Sequence, residues 1–529
     1  MNRVICLILL FVMPIPPVAA GIEHSVHIRD YAKSGDDVST VLQHLVDNYN
    51  TVFVDEGTWF ISSGIKLHSG TSIIGLGKDR SIIKRNDSTP LNGGFLFYTE
   101  TINPDIYIQR NPEDLFNKEL ISHTDIVIRD LTIDFNRKPE RYKDIELKSR
   151  NLYGIGLIRA SRCVISGCSF IDHMTKTCNN GYPAIVSFQS EKLVVENNHC
   201  RNMTFLQVWN SKGVTVRGNT CTNSIGTAIE TSGGLAHIIE RNTVNGVFWS
   251  VSCVGVNSTD CYIAGNTIYG EAHNLSALTL GHEGAYTSAS RAVVKNNEFY
   301  TNGDVGVLIQ NGHNILVTEN NCSCCLSPSS SELSSGCIVA SGNDREIYDI
   351  KVSDNNLTAT GEGKSGGITY RGSGKLEIKG NDISSNKGIS VLNQDCAARI
   401  QKNSIQSQYY TIQANCNRVL IKGNILTNGI VSSSSNIRII NNDIEIRSHN
   451  SFFINNWGKV SIVGNSIIPA ESIPADRAFV LDASGRGDKE ISKAVKVKKN
   501  SIQDVGNNGV VYFAGSSEGR GEVKTKKKK

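Results

Sequence analysis

A short strand motif recurs along this chain and constrains its fold more than any other feature. The motif is an apolar residue, any residue, Ile or Val, two further residues and an Asn, as in Val214–Asn219. Most successive copies lie 18 to 26 residues apart, a period typical of solenoids, in which each repeat buries its apolar side against the next. The copies end at Asn198, Asn219, Asn242, Asn266, Asn297, Asn320, Asn355, Asn381, Asn403, Asn424, Asn442, Asn465 and Asn500, and weaker copies end at Leu131 and Cys168.

The alternation of side chains within each copy predicts a β-strand. In Val214-Thr215-Val216 two apolar side chains would point inward and one polar side chain outward. A second apolar stretch precedes many copies, for example Phe205–Trp209 and Val305–Gln310. Two or three short strands per repeat, joined by Gly and Asn turns, predict an all-β fold, a single-stranded right-handed parallel β-helix of about sixteen coils.

The column of Asn residues is interpreted as structural. Asn tolerates the left-handed backbone conformation that a tight turn requires, and its amide can bond to the same amide one coil away. We therefore predict a line of hydrogen-bonded Asn side chains along the solenoid and assign them no binding role.

The N-terminus is predicted to be a signal peptide. Met1–Ala20 has an early positive charge at Arg3, an apolar run too short to span a bilayer, and small residues at Val18–Ala20. We therefore expect export to the periplasm or the extracellular space.

Residues 21–120 are predicted to form a cap and the first coils of the solenoid. Asp36 or Asp37 can cap a helix whose apolar face is Val38, Val41, Leu42 and Leu45. A helix there would cover the apolar end of the first coil. Residues 121–515 are assigned to the β-helix and the basic run 516–529 to a disordered tail.

Composition and cysteine usage limit the partners. The chain has 529 residues, 39% of them hydrophobic, and a formal net charge of +4. No later segment approaches the roughly 20 apolar residues of a membrane helix, and we expect neither a nucleic-acid nor a membrane partner. Cys322, Cys324 and Cys325 lack a second pair of ligands at metal-site spacing. We expect the cysteines to pack as small core residues, with no metal or cofactor.

The segment after the signal peptide resembles the pectate-lyase-like superfamily, and within it phage tailspikes and their bacterial relatives. Matching residues include Gly57-Thr58-Trp59, Ile65-Lys66-Leu67 and Ile74–Gly77, whereas a Gly after Tyr31 is lacking and Glu56 replaces a common turn residue. The resemblance extends as a fold over nearly the whole mature chain. A tailspike-like chain with a signal peptide is similar to bacterial exopolysaccharide-processing proteins, which implies an acidic polysaccharide as substrate. The resemblance to tailspikes implies a homotrimer as assembly.

Longer intervals between the Asn residues indicate where a site could be built. Four intervals of 30, 31, 35 and 35 residues each leave room for a loop that walls a groove: Cys168–Asn198, Asn266–Asn297, Asn320–Asn355 and Asn465–Asn500. The second interval contains the candidate site residues Glu271, His273, His282, Glu283 and Tyr286.

A polar and aromatic strip is predicted beside these insertions. Counted back from the Asn of each coil, Trp209, Glu230 and Gln310 share one position if Gly233-Gly234 adds two residues. Sugars stack on aromatic rings, and glycoside hydrolysis takes two carboxyl groups. We therefore predict Glu230 and Glu283 as the catalytic pair, with Glu271 in reserve. The predicted substrate-binding residues are Trp209, Trp249, His282, Gln310 and Tyr286.

These residues favour a secreted endo-acting glycoside hydrolase that cleaves or trims a bacterial exopolysaccharide. A polysaccharide lyase or a uronate epimerase would instead need a base and a group that neutralises the uronate carboxylate. Tyr370 with Arg371, or His282 with Arg291, could supply them. A non-catalytic glycan binder or adhesin would keep the aromatic strip without needing the carboxylates. The sequence leaves these alternatives open.

Overall fold

The chain forms three faces of parallel strands that wind around one apolar core. The computed structural model describes residues 25–86, 94–101, 116–137, 153–173, 183–224, 226–247, 252–270, 276–281, 288–302, 305–325, 335–342, 346–361, 366–447, 452–455, 458–469, 479–482, 493–502 and 511–514. Every described strand pairing between faces of successive coils is parallel, for example Thr215↔Ile238 and Leu206↔Ile229.

The first face is a sheet of 19 strands, most of which end two residues before the Asn or its equivalent in the repeat. Its strands are Ser25–His27, Thr51–Val54, Ser72–Gly75, Val127–Arg129, Val164–Ser166, Val194–Glu196, Thr215–Arg217, Ile238–Glu240, Tyr262–Ala264, Val293–Lys295, Gly312–His313, Leu316–Thr318, Ile347–Ser353, Ser373–Lys379, Cys396–Gln401, Arg418–Lys422, Asn436–Ile440, Lys459–Val463 and Val495–Lys498.

The second face follows each turn. Its strands are Gly57–Ile61, Ser81–Arg85, Thr132–Arg137, Ser169–His173, His199–Arg201, Thr220–Ser224, Thr243–Val247, Thr267–Gly270, Glu298–Thr301, Asn321–Cys325, Asn356–Thr360, Asp382–Ser385, Ser404–Ala414, Ile425–Ser432, Asp443–Ile446, Ser466–Pro469 and Ser501–Ile502.

The third face closes each coil. Its strands are Ile65–Lys66, Phe95–Tyr98, Tyr153–Ile158, Pro183–Phe188, Thr204–Trp209, Ile229–Leu235, Ser252–Thr259, Ser276–Leu280, Val305–Ile309, Gly336–Ala340, Gly366–Tyr370, Lys387–Val391, Phe452–Ile454, Phe479–Asp482 and Val511–Ala514. The long strands Ser404–Ala414 and Ile425–Ser432 continue from the second face into the third, so both faces belong to one sheet of 32 strands. A separate two-stranded pairing joins His123–Thr124 to Ala160–Ser161.

The core consists of inward side chains stacked from coil to coil, which confirms the predicted parallel β-helix. On the first face the central inward column is fully or almost fully buried: Ile128, Ile165, Val195, Val216, Ile239, Ile263, Val294, Val317, Val352, Ile378, Ile400, Ile421, Ile439 and Ile462. Burial of each Ile or Val contributes about 1.5 to 3 kcal/mol. Repetition thus supplies a continuous core.

The predicted Asn ladder is confirmed along its whole length. Each Asn side chain from Asn198 to Asn465 donates from Nδ2 to Oδ1 of the Asn one coil further, at 2.8 to 3.0 Å. The same Oδ1 also accepts from the backbone N–H of the preceding Asn, as between Asn219 and Asn242. At the start of the ladder the backbone N–H of Cys168 donates to Asn198.

The prediction that these Asn residues adopt the left-handed conformation is wrong by one position. The residue before each ladder Asn has the positive φ, between 52° and 69°, as in Gly218 before Asn219 and Arg241 before Asn242. The turn is therefore made by the preceding residue, while the Asn side chain is held inside by its hydrogen bonds. This explains why Gly and Asn, which tolerate positive φ, are frequent at the preceding position.

An N-terminal helix covers the first coil, as predicted. It spans Ser39–Asn48 and buries Val38, Leu42 and Leu45 completely. Asp37 Oδ1 accepts from the backbone N–H of Ser39 at 3.1 Å, which satisfies one of the free donors at the helix start. Two short 3-10 helices span Ile28–Asp30 and Lys118–Leu120.

Strands on either side of the predicted boundary at residue 120 belong to the same sheet. Ser72 pairs with Val127 and Ile73 with Ile128 in unbroken register. The predicted signal peptide and basic tail lie outside the described residues. Among the described helices, none has the length and apolar character to cross a bilayer.

His237 is a buried titratable group in the turn before the first face. Its side chain is fully buried, and its Nδ1 accepts from the backbone N–H of Val214 at 3.2 Å. Nδ1 is therefore unprotonated, and Nε2 is buried without a hydrogen-bond partner. Burial lowers the pKa of His237 to about 3.

Replacement of a ladder Asn should destabilise the whole solenoid. Asn355→Ala removes Oδ1, which accepts twice from Asn320, and Nδ2, which donates to Asn381. Because buried partners are left unsatisfied, we expect a loss of at least about 3 kcal/mol in the free energy of unfolding. Denaturant titration measures it. Asn356→Ala, which changes the neighbouring exposed Asn, is the control, and equal losses in both variants would contradict a dominant ladder.

Stability should fall as the pH is lowered from about 6.5 toward 3. The unfolded chain protonates His237 near pH 6.5, whereas the folded chain keeps it neutral down to about pH 3. The free energy of unfolding is thus lost over that window, by up to about 1.4 kcal/mol per pH unit. His237→Asn retains an acceptor at the Nδ1 position and should flatten this dependence, measured by denaturant titration at several pH values. His44→Asn, at an exposed His, should leave the slope unchanged.

Candidate functional site

The outward side chains of the third face form two rows that run along the solenoid. We call the first the Glu230 row. It contains Val186, Gln207, Glu230, Gly255, Thr279 and Leu308, paired in that order. The second, the Trp209 row, contains Ile158, Phe188, Trp209, Ser232 and Asn257.

The predicted alignment of Trp209 with Glu230 is wrong by two residues. Trp209 lies opposite Ser232, and Glu230 lies opposite Gln207. The register shift lies after Ser232, between it and Leu235, so Gly233-Gly234 does not displace Glu230. Because side chains alternate with a period of two, a two-residue shift keeps both on the outward face.

Glu230 is a half-buried carboxylate in polar surroundings. Gln207 Nε2 donates to Glu230 Oε2 at 3.2 Å, and Gly255 opposite leaves space beside the carboxylate stem. The five third-face strands from Pro183–Phe188 to Ser276–Leu280 contain one acidic residue, Glu230. Its carboxylate therefore supplies the negative charge on these five strands of the third face.

Polar side chains continue the outward side of the third face on the two coils after Glu230. Ser252 and Asn257 belong to the following strand, and Ser276 bonds to Thr279 between their hydroxyl oxygens at 2.6 Å on the strand after that. All four are buried even though they are not part of the apolar core. Sequence analysis missed them and Gln207. The available signal was their polar character at outward positions of otherwise apolar strands.

Trp209 belongs to a buried aromatic cluster on the outer side of the sheet. It packs with Phe95, Tyr153, Ile158 and Val186, separately from the main core. Phe95 and Tyr153 stack with ring centroids 4.8 Å apart. Only 9% of Trp209 is exposed. Trp209 therefore offers little of its surface in this structure, and its sugar-stacking role stays a prediction.

Gln310 directly follows the strand Val305–Ile309, and its backbone N–H donates to Leu280 O at 2.9 Å. Since Ile309 pairs with Leu280 and Leu280 with Val256, Gln310 continues the Trp209 row beyond Asn257. It lies three coils from Glu230, about 14 Å along the axis. A small apolar cluster of Val305, Leu308 and Val339 lies on the strand that Gln310 follows and on the next one.

The other predicted site residues, Trp249, Glu271, His282, Glu283 and Tyr286, lie outside the described residues. Four of them are close in sequence to the strand Ser276–Leu280, Glu271 before it and His282, Glu283 and Tyr286 after it. That strand is two coils beyond the strand of Glu230.

Two of the residues predicted for a lyase or an epimerase, Tyr370 and Arg291, are otherwise engaged. Tyr370 is buried in the core, its hydroxyl donates to Ser373 O at 2.5 Å, and burial raises its pKa. Arg291 makes a two-pronged contact with Asp260 at 2.6 and 2.7 Å, in the turn before the first face. Tyr370 cannot reach a substrate as a base, and the charge of Arg291 is compensated. Arg371 remains half-buried beside Tyr370.

The cysteines pack as small core residues, as predicted, with the exception of exposed Cys325. Burial raises the pKa of Cys163 and Cys168 to about 12, which keeps these thiols protonated and unreactive. The structure brings Cys337, rather than Cys325, to Cys322 and Cys324, with the three sulfurs within 4.8 Å of one another. Three converging thiols are a ligand set suited to a soft metal ion.

Comparison with known proteins agrees with this geometry. A model described as "Rhamnogalacturonase A/epimerase, pectate lyase-like" matches residues 25–257, and a right-handed β-helix region model matches residues 206–405 and 366–525. The preneck appendage protein of Bacillus phage PZA is 32% identical over 104 residues. That match spans 18% of this chain and only 12% of the phage protein.

Two solved structures share the fold at low sequence identity. The pre-mature gene product 12 of bacteriophage phi29 has a TM-score of 0.53 at 13% identity, over 92% of this chain and 73% of that one. The Dettilon tailspike protein gp208 has a TM-score of 0.50 at 14% identity, over 69% of this chain and 68% of that one. Since the β-helix model matches more than half of its length, the chain belongs to the right-handed β-helix proteins, and its residues 25–257 are similar to the pectate lyase-like family.

Proposed function

We propose that this protein is an exported endo-acting glycoside hydrolase of a bacterial exopolysaccharide and that Glu230 is one of its two catalytic carboxyl groups. The position of Glu230 carries the proposal. It is half-buried, accepts a hydrogen bond from the Gln207 amide and is followed on the next two coils by buried hydroxyl and amide side chains on the same side of the third face. A fixed carboxylate among hydrogen-bonding groups is what cleavage of a sugar–oxygen bond requires.

The family description supports a carbohydrate as the ligand. The model that matches residues 25–257 is named after rhamnogalacturonase A and an epimerase, and this range includes Glu230 and the five residues of the Trp209 row. The Dettilon protein of the same fold is a tailspike.

The second carboxyl group is proposed to be Glu283, with Glu271 as the alternative. Both flank the strand Ser276–Leu280 in the sequence, and that strand lies two coils, about 10 Å, from the strand of Glu230. Catalytic carboxyl groups are roughly 6.5 to 9.5 Å apart in inverting enzymes and about 5 Å apart in retaining ones. A separation of two coils along the axis is therefore close to the distance between the carboxyl groups of inverting enzymes.

A hydrolase is favoured over a lyase because two of the described lyase candidates, Tyr370 and Arg291, are engaged elsewhere. Tyr370 donates its hydroxyl proton to a backbone carbonyl inside the core, and Arg291 is paired with Asp260. Neither contributes to the outward side of the third face.

Glu230→Gln should abolish cleavage without unfolding the protein. We expect the hydrolysis rate to fall by about 10²- to 10⁴-fold, since a neutral amide neither transfers a proton nor attacks the sugar. Viscosity, new reducing ends and ultraviolet absorbance of acidic exopolysaccharides are followed together. Glu240→Gln is the matched control. Glu240 lies on the first-face strand that directly follows the strand of Glu230, and its carboxylate pairs with Arg241.

Gln207→Leu tests the positioning of the carboxylate. Loss of the donor to Glu230 Oε2 should slow cleavage by about tenfold, less than loss of Glu230 itself. Ultraviolet absorbance that rises with cleavage would instead indicate a lyase. Binding of the polymer with no loss of viscosity in the wild type would indicate a glycan-binding protein.

Export and assembly are further parts of the proposal. We expect the mature chain to begin at Gly21 after removal of Met1–Ala20 and to form a homotrimer. Mass spectrometry of the protein recovered from the periplasm or medium checks the first point, and light scattering on the mature protein checks the second. An intact N-terminus in the cytosol, or a monomer at all concentrations, would contradict them.

A further inference from the structure

The first face changes its charge pairing along the solenoid. In the N-terminal half, exposed arginines on this face or in the turn before it contact carboxylates of a neighbouring coil. Arg162 pairs with Asp125, Arg217 with Glu196 and Arg291 with Asp260, each at 2.6 Å. The positive charges of these three arginines are compensated by the protein itself.

The C-terminal half of the same face carries basic residues without such partners. We call it the basic face. Its strands, from Ile347–Ser353 to Val495–Lys498, contain ten exposed basic residues: Lys351, Lys375, Lys379, Arg399, Arg418, Lys422, Arg438, Lys459, Lys496 and Lys498. The same strands contain two acidic residues, Asp349 and Glu377. Within the described chain, Lys351 alone of the ten has a carboxylate partner, Glu377 at 3.9 Å.

The basic residues form a regular pattern in three columns along the axis. In the first column Lys375, Arg418 and Lys459 alternate with Ala397 and Asn436.

In the second column Arg399 and Arg438 are separated by Leu420, and in the third Lys379 and Lys422 are separated by Gln401. Within each column, positive charges therefore recur on every second coil, about 10 Å apart. This spacing is close to the Debye length at physiological salt, so mutual repulsion is small while each charge stays available to a ligand.

We propose that the basic face binds a linear acidic polysaccharide laid along the solenoid axis, with carboxylate groups facing the alternating Arg and Lys side chains. The charge pattern itself is independent of the catalytic site. The identification of the polymer as a polysaccharide rests on the proposed function. The basic face adds that this polysaccharide is acidic.

An extended polymer fits this surface better than a compact ligand. The ten charges are spread over seven successive pairing strands, about 29 Å along the axis, and each is exposed to solvent. An exposed ion pair contributes little alone, so affinity requires many regularly spaced contacts. A polymer with a carboxylate on every second sugar supplies them.

Two triple variants with the same change in net charge test this proposal. Arg399→Gln, Arg418→Gln and Arg438→Gln together remove unpaired charges from three adjacent strands. Arg162→Gln, Arg217→Gln and Arg291→Gln remove three arginines that already have carboxylate partners. Each triple is combined with Glu230→Gln in the full mature chain, which excludes cleavage from the readout. A failure of the proposed catalysis therefore leaves the binding test intact.

Binding is measured with hyaluronan, which carries one carboxylate per disaccharide, and with its methyl ester, at low and high salt. We expect salt-sensitive binding of hyaluronan alone, about tenfold weaker in the first triple and unchanged in the second. Equal weakening in both triples, or equal binding of the methyl ester, would overturn the proposal. Preferential binding of anionic lipid vesicles or of a DNA duplex would also overturn it. Unfolding curves verify that both triples remain folded.

Discussion

The hydrogen-bonded amides inside the turn determine how one coil stacks on the next. Each ladder Asn accepts from the backbone and the amide of the Asn before it and donates to the Asn after it, as Asn219 does between Asn198 and Asn242. In the apolar interior an unsatisfied amide is costly. The ladder therefore fixes the register of the first and second faces, and with it which outward residues lie side by side.

The period of the Asn residues was sufficient to predict the fold because ladder and inward columns depend only on local pattern and on the next coil. Gly218-Asn219 shows the limit of this reasoning. Both residues suit a turn, and only the structure reveals that the first has the positive φ while the second bonds along the axis. The outward rows were harder to predict. A count from Asn242 back to Glu230 crosses two elements, and the two extra residues assumed at Gly233-Gly234 are absent from the pairing of this coil with the coil of Trp209.

Burial of an outward residue could not be read from the sequence at all. Trp209 looks like an exposed sugar platform, yet it is buried in one cluster with Phe95 and Tyr153, which come from earlier coils. Gln207, one strand position away, has its amide directed to Glu230 instead. Which of two outward side chains meets a ligand therefore depends on residues distant in sequence, and the period carries no information about them.

Separation of stability from chemistry explains how one solenoid can carry distinct surfaces. The inward columns supply the burial energy, so outward residues are free to vary at small cost. The third face carries a carboxylate at Glu230, and the first face carries unpaired arginines from Arg399 onward. The first strand of the basic face lies about five coils, some 24 Å, beyond the coil of Glu230. Under both proposals a short oligosaccharide reaches either the basic face or Glu230, but not both. A long polymer held on the basic face stays close to the Glu230 carboxylate between cleavages. Such an arrangement favours long chains over their own fragments as substrates.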